Sequence, residues 1–326
     1  MKINNFLKQI ISLSILIVVA FVLCMPAMIS PARAADKTKV AVLFPGVVSD
    51  QSWNQFGYEG LMRAKNEDGD ETAYSENVSQ DMQIEAFRNY AAEGYDVIIG
   101  MGGEYTDAAR TVAGEYPDIK FCVSNGLVGN GKNLSSFKVS YSQQGYLAGV
   151  LAGLMTKTNK IAAVMAEPIP IVDQGKASFK AGAESVNKDV EVSFVITGSW
   201  ADVAKAREAG LALINQGVDV LWHILDTADA GLISSAEDKG IYAIGLYRDS
   251  ASLGPKAVIG SAMGNPSTLV YEAASGHVLN GKANIMDVNT PQGIDMKMTE
   301  LVPQKTQEKV RDILGKMRSG EIEVLR

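Results

Sequence analysis

Three tryptophans, Trp53, Trp200 and Trp222, stand at or beside polar loops that follow short apolar runs. The first sits in Ser49-Asp50-Gln51-Ser52-Trp53-Asn54-Gln55, the second in Thr197-Gly198-Ser199-Trp200-Ala201-Asp202. Flat indole faces beside a few convergent polar groups suit a planar, ring-shaped ligand. Each stacked aromatic pair adds roughly 0.5–1.5 kcal/mol beyond its area burial. The polar partners expected around such a ring are Asp50, Ser52, Asn54, Gly103, Glu104, Asn125, Asp226 and Asp249, each in a loop that follows an apolar run. Tyr105 and Tyr247 join them; with Tyr58, they fit either the pocket or its rim. A tryptophan at a strand end also serves as a lid on the core, an alternative that stands for each of the three taken singly.

The arrangements that carry catalysis are missing. The chain has two histidines: His277 falls on a late helix and His223 at the end of an apolar run beside Trp222. One histidine without a neighbouring nucleophile motif is weak evidence for chemistry. Gly100-Met101-Gly102-Gly103 is followed by neither a Gly-Lys-Ser/Thr nor a Gly-x-Gly-x-x-Gly pattern, so it is no phosphate loop. No spacing of His, Cys and carboxylates matches a metal site. Asp50, Asp226, Asp229 and Asp249 serve equally well as hydrogen-bond acceptors or helix caps. The expectation is a binder with no cofactor and no metal, not an enzyme.

These residues need a frame that brings distant loops together. The 326-residue chain is 47% hydrophobic and 21% charged, which excludes a disordered chain, a collagen-like repeat and a small disulfide scaffold. A formal net charge of −7 argues against a general nucleic-acid binder. Short β-branched runs at 39–44, 96–100, 119–123, 160–165, 190–196, 218–224 and 241–246, with a shorter one at 73–74, alternate with amphipathic stretches. Such strands between helices mean parallel sheets covered on both faces. Further strands at 256–261 and 296–302, with helices at 267–279 and 307–317, complete the pattern.

The reading is α/β: two similar doubly wound parallel-sheet lobes joined by three crossovers, near 137–141, 246–249 and 282–286. The N-terminal lobe is expected to hold 36–141 and 248–281, the C-terminal lobe 142–247 and 282–326. Ligands bind such sheets at the carboxyl ends of the strands, here a cleft between lobes that closes by hinge motion.

The first 34 residues are set apart. Lys2 and Lys8 precede an apolar run from Ile10 to Met25, and Ala32-Arg33-Ala34 follows, the layout of a cleavable secretory signal cut after Ala34. A retained membrane anchor is the alternative. Lipid attachment at Cys24 is disfavoured by Leu23 before it. Cleavage leaves Cys122 as the one cysteine, so no intrachain disulfide is possible. Within Phe121-Cys122-Val123 it reads as a small buried hydrophobe.

The stretch from Ser49 to Gln55, with Tyr58-Glu59-Gly60-Leu61 after it, resembles the Asp-x-Ser-Phe-Asn-Gln…Glu-Gly signature of the basic membrane protein family. These are purine-nucleoside-receptor-like substrate-binding proteins of ATP-driven importers. Tyr146-Leu147-Ala148-Gly149, Gly198-Ser199-Trp200-Ala201-Asp202, Gly217-Val218-Asp219-Val220 and Ile244-Gly245-Leu246 extend the likeness in order along the chain. The resemblance implies a type I periplasmic-binding fold, a periplasmic location, an inner-membrane ABC permease as partner and a monomer that meets no nucleic acid. It also implies that the aromatic residues at Trp53 and Trp200 flank a purine, with Asp50 and Asn54 at polar positions near it.

Three positions depart from the pattern. Asn125 stands where the family often has Asp, and Gly245-Leu246-Tyr247 where it often has Gly-Val-Asp. Ser261-Ala262-Met263-Gly264 lacks a lysine common there. Those groups commonly serve the sugar, so a free nucleobase such as adenine, hypoxanthine or xanthine is favoured over a nucleoside, with Tyr247 filling the space of the ribose. Alternatives are a sugar or a flavin-like vitamin and, more remotely, a secreted nucleoside hydrolase.

Overall fold

The computed structural model describes residues 37–324. The leader, its cut after Ala34 and Cys24 lie outside the described residues. Among those residues, no helix is long and apolar enough to cross a membrane.

In chain order the first run is β1 (Lys39–Leu43), α1 (Trp53–Arg63), β2 (Glu71–Ser75), α2 (Gln83–Ala92), β3 (Val97–Met101), α3 (Thr106–Glu115), β4 (Lys120–Ser124) and β5 (Leu134–Val139). The second is α4 (Tyr141–Met155), β6 (Lys160–Met165), α5 (Pro170–Val186), β7 (Glu191–Ile196), α6 (Val203–Asn215), β8 (Val220–Ile224), α7 (Asp229–Lys239), β9 (Tyr242–Tyr247) and β10 (Val258–Met263). The chain ends with α8 (Ser267–Ala274), β11 (Ala283–Met286), β12 (Asp295–Met298) and α9 (Gln304–Ser319). One six-stranded sheet has the order β11-β5-β4-β3-β1-β2, the other β12-β10-β9-β8-β6-β7. All pairings are parallel except that of β12 with β10.

The strands owe their burial to alternation. In β1, Val40 and Val42 face one apolar cluster while Ala41 and Leu43 face another. In β8, Val220, Trp222 and Ile224 point to the first cluster and Leu221 to a third. Both faces of each sheet are therefore covered, as continuous apolar strands require.

Two strands sit in the sheet opposite to the expected one. β10 pairs with β9 in the second sheet, Ser261 beside Gly245, and so does not belong with the first lobe. The polar stretch Arg248-Asp249-Ser250 resembles a crossing, but it turns back: the Ser250 amide donates to Ser261 Oγ at 3.0 Å. β11 pairs with β5 in the first sheet, so 283–286 leaves the C-terminal lobe to which it was assigned. The Ser136 amide donates to the Lys282 carbonyl and Asn284 Nδ2 to the Ser136 carbonyl, both at 3.0 Å, which fixes that edge. The chain thus passes between sheets after β5, after β10 and after β11.

Helix α4 is buried on nearly every side, which explains its composition of small and apolar residues. It meets α5 through reciprocal notches. A Cβ at Gly149 would lie 2.0 Å from the Phe179 carbonyl oxygen, and one at Gly182 would lie 2.1 Å from that of Tyr146. Backbone atoms fill both spaces and cannot rotate away. Gly149→Ala is therefore expected to force the helices apart and cost about 2–3 kcal/mol. Thermal unfolding should show a melting temperature about 5 °C lower or more; an unchanged one would contradict this packing.

Candidate functional site

The carboxyl ends of both sheets open onto one cavity of about 770 Å³. Pro45 and Gly46 after β1, Trp53 and Asn54 at the start of α1, Glu104 after β3 and Asn125 after β4 line it from one lobe. Tyr141 of α4, Glu167 after β6, Trp200 after β7, Asp226 after β8 and Tyr247 at the end of β9 line it from the other.

Trp53 is held by its neighbours. Its Nε1 donates to the Met101 carbonyl at 3.1 Å, and its ring centroid lies 6.4 Å from that of Tyr247 at 49°. The turn before it is tied off by Asp50, whose carboxylate accepts from the amides of Ser52, Asn54 and Gln55 at 2.9, 3.0 and 3.0 Å. Asn54 Nδ2 also donates to Asp50, at 2.7 Å. Asp50 thus caps the N-terminus of α1, where the free amides and the dipole favour an anion. It lies behind the cavity wall, and Asn54, which it orients, faces the space.

Trp200 is fixed through its backbone. Its carbonyl accepts from the amides of Asp226 at 3.0 Å and Ala228 at 3.2 Å, tying the loop after β7 to the loop after β8. The Ser199 hydroxyl accepts from Ala201 and Asp202, and Asp202 caps α6 through the Lys205 amide at 3.0 Å.

Tyr247 has φ +66, a left-handed conformation that bulky residues rarely adopt and that tends to accompany functional sites. It turns the ring toward Trp53 and Phe56 and brings its hydroxyl 2.5 Å from that of Tyr141. Burial pushes both phenols well above their ordinary pKa. Asn125, at φ +55, accepts from the Val139 amide at 2.9 Å and donates to the Tyr141 hydroxyl at 3.3 Å.

The carboxylates carry the electrostatics. Burial raises Asp226 to about 7, helped by the charges of Asp50 and Asp229 and opposed by the Ser52 hydroxyl and Arg248. Ser52 and Asp226 come from different lobes, so the hydroxyl acts on the carboxyl across the cleft, one electrostatic link between them. Arg248 makes a second link, its Nη1 donating to the Gln51 carbonyl at 2.6 Å and its guanidinium lying 5.3 Å from the Phe56 ring. Burial raises Asp229 to about 6, with Arg248 acting against it. Glu104 is open to the cleft yet walled by protein, and partial removal from bulk water raises its carboxyl.

The structure gathers Trp53, Asn54, Gly103, Glu104, Asn125, Trp200, Asp226 and Tyr247 around the cavity. Ser52 stands just behind it with Asp50. Three expected residues lie elsewhere. Trp222 is fully buried on β8 and stacks on Phe179 with centroids 5.0 Å apart at 15°. Tyr105 is fully buried against Phe87, its hydroxyl reaching the Val78 carbonyl. Asp249 pairs with Lys297 at 2.7 Å on the surface. Tyr141 and Glu167 line the cavity without having been singled out. Their loop positions, beside a crossover and directly after β6, were the available signal. His223 is buried, and burial with the nearby Arg248 pushes it down to about 3. Among the described residues no group of three or more His, Cys, Asp and Glu side chains is placed to hold a metal ion.

The arrangement can clamp a flat ring between aromatic faces and read its edge with carboxylates and amides. A family model described as Bmp, an ABC transporter substrate-binding protein of PnrA-like type, matches residues 37–325. The chain is 32% identical over 227 residues to a purine-binding protein of Brucella abortus (strain 2308), covering 69% of this chain and 64% of that protein, just under two thirds of its length. It is 28% identical over 281 residues to the transcriptional activator protein med of Bacillus subtilis (strain 168), covering 85% and 87%. Among solved structures, a transcriptional activator of the comK gene from Bacillus halodurans superposes with a TM-score of 0.77 at 24% identity, covering 87% of this chain and 99% of that one. An ABC transporter solute-binding protein from Conexibacter woesei superposes with a TM-score of 0.71 at 23% identity, covering 88% and 98%. At those identities the structures speak for the fold alone.

Proposed function

We infer that this protein, which belongs to the Bmp family of PnrA-like ABC transporter substrate-binding proteins, captures a free purine base between its lobes and delivers it to a membrane permease. The observation that carries the ligand class is the pair Trp53 and Trp200, one from each lobe, lining a single cavity. The base stacks between the two indoles, and Asn54, Asn125, Glu104 and Asp226 read its edge. Tyr247, backed by Tyr141, occupies the strand-end position where a sugar would otherwise extend. The names of relatives support the class: one is a purine-binding protein and another, from Lactococcus lactis, a nucleoside-binding protein. Capture takes place outside the membrane, after a leader ending near Ala34 has been removed, and the protein acts as a monomer without catalysis.

An intact nucleoside is the second reading, favoured by the volume, since about 770 Å³ falls within the range of pockets for drug-sized ligands. Calorimetric titration separates the two. A base of about ten heavy atoms at about −1 kcal/mol per atom has a ceiling near −10 kcal/mol, so submicromolar to micromolar binding is expected. Nucleosides binding more tightly than their bases would transfer the conclusion to the second reading. Silence from every purine, with another solute binding, would defeat both.

A further inference from the structure

The charged groups lining the cavity are of one sign. Glu104, Glu167 and Asp226 line it, and no lysine, arginine or histidine does so among the described residues. Arg248 lies behind Asp226, engaged by the Gln51 carbonyl, the Phe56 ring and, at 3.9 Å, Asp229. Several side-chain donors on the wall are already committed within the protein. Trp53 Nε1 goes to Met101 and Thr106 Oγ1 to Gly103, while Asn54 Nδ2 and Asn125 Nδ2 each spend one N–H, on Asp50 and Tyr141, and keep the other. What the wall offers a ligand is therefore weighted toward acceptors and toward the negative faces of indole and phenol rings.

We propose that the cavity selects amino-substituted, donor-rich or cationic planar bases and rejects oxo-substituted and anionic ones. This rests on the reading of the cavity as a purine site. An exocyclic amine or ring N–H directed at Glu104, Glu167 or Asp226 gains a charge-assisted hydrogen bond. Once the carboxyl is ionised, a ring carbonyl in the same place meets a second acceptor with no proton between them, so the discrimination is expected in full above about pH 7. Partial positive charge on the ring is also favoured between aromatic faces. The negative charge gathered at Asp226, Asp50 and Asp229 is balanced only in part by Arg248. A donor-rich ligand supplies that balance.

Adenine and 2,6-diaminopurine are accordingly expected to bind about tenfold or more tighter than hypoxanthine, with xanthine, the most readily deprotonated, weakest. Competition titrations of these four bases test the order, with 2,4-diaminopyrimidine as a donor-rich ring that is not a purine. Glu104→Gln and Glu167→Gln replace an acceptor by an amide that can also donate. Each should shrink the adenine-to-hypoxanthine ratio severalfold, while unfolding curves check that the variants remain folded. Xanthine or hypoxanthine binding as tightly as adenine, or ratios that do not move in either variant, overturns the proposal and leaves the purine reading intact. Binding of the diaminopyrimidine with silence from all four purines overturns the purine reading and keeps the preference for donors. Silence from all five overturns both.

Discussion

Replacing Trp200 with alanine is expected to weaken binding of the purine base by roughly 30- to 100-fold, and Trp53→Ala to do so by a similar factor. Each indole covers one face of the ring. Losing it forfeits about 1–2 kcal/mol of apolar burial and a further 0.5–1.5 kcal/mol of stacking. The two losses need not add, because a ring released on one face can shift against the other wall. Trp222→Ala is the contrast. Its ring lies in the core on Phe179, so removal should cost about 3–5 kcal/mol of stability through the hole it leaves. The three variants thus separate along two axes, calorimetric affinity and unfolding free energy. Trp200→Ala retaining wild-type affinity would mean that the base is held elsewhere.

Replacing Asp226 with asparagine should stabilise the empty protein at pH 8 while weakening capture of the base about tenfold. The folded chain holds the Asp226 proton up to about pH 7, against an ordinary value of 3.8. Between roughly pH 4 and pH 7 the folded state therefore binds more protons than the unfolded state, and stability falls as pH rises through that window. Above it, the cost of keeping a charged carboxylate beside Asp50 and Asp229 is fully present. At about 1.4 kcal/mol per pH unit, it amounts to a few kcal/mol. The asparagine has nearly the same shape, and the inter-lobe bond from Arg248 to the Gln51 carbonyl is untouched. The expected signature is a melting temperature about 5 °C or more above wild type at pH 8, with the difference closing toward pH 4. A difference independent of pH, or of the opposite sign, would remove Asp226 as the strained charge of the site. The trade of stability for binding is the usual one at sites that hold unbalanced charge.

The alternation of β-branched runs with amphipathic stretches carried the two-lobed α/β architecture, because buried parallel strands are apolar on both faces. β5 and β11 were harder to read. Leu134-Ser135-Ser136-Phe137-Lys138-Val139 and Ala283-Asn284-Ile285-Met286 are short and mixed; β5 lies between β4 and β11, and β11 is a strand through its pairing with β5 across a wide separation in the chain. The apolar run of β10 marks it as a strand, but its side of the molecule depends on Ser250 folding back on Ser261, a contact no local pattern announces.

At the site, the motif around Trp53 and that around Trp200 led to the cavity. Trp222 is the middle residue of β8, short of its carboxyl end, where both faces of the sheet are core. Asp50 lay in the right motif with a different duty: its carboxylate meets the free amides of α1 before it meets any ligand. Glu167 and Tyr141 escaped notice because a lone acid after a strand and a tyrosine at a crossover look like ordinary surface residues until both lobes are seen together.

The most direct test of the account is a crystal structure of the protein with adenine bound. One purine ring is expected in the cleft, its two faces against Trp53 and Trp200 and its amino edge on a carboxylate of Glu104, Glu167 or Asp226. Adenine found outside that cleft, or within it with either indole turned away from the ring, would contradict it.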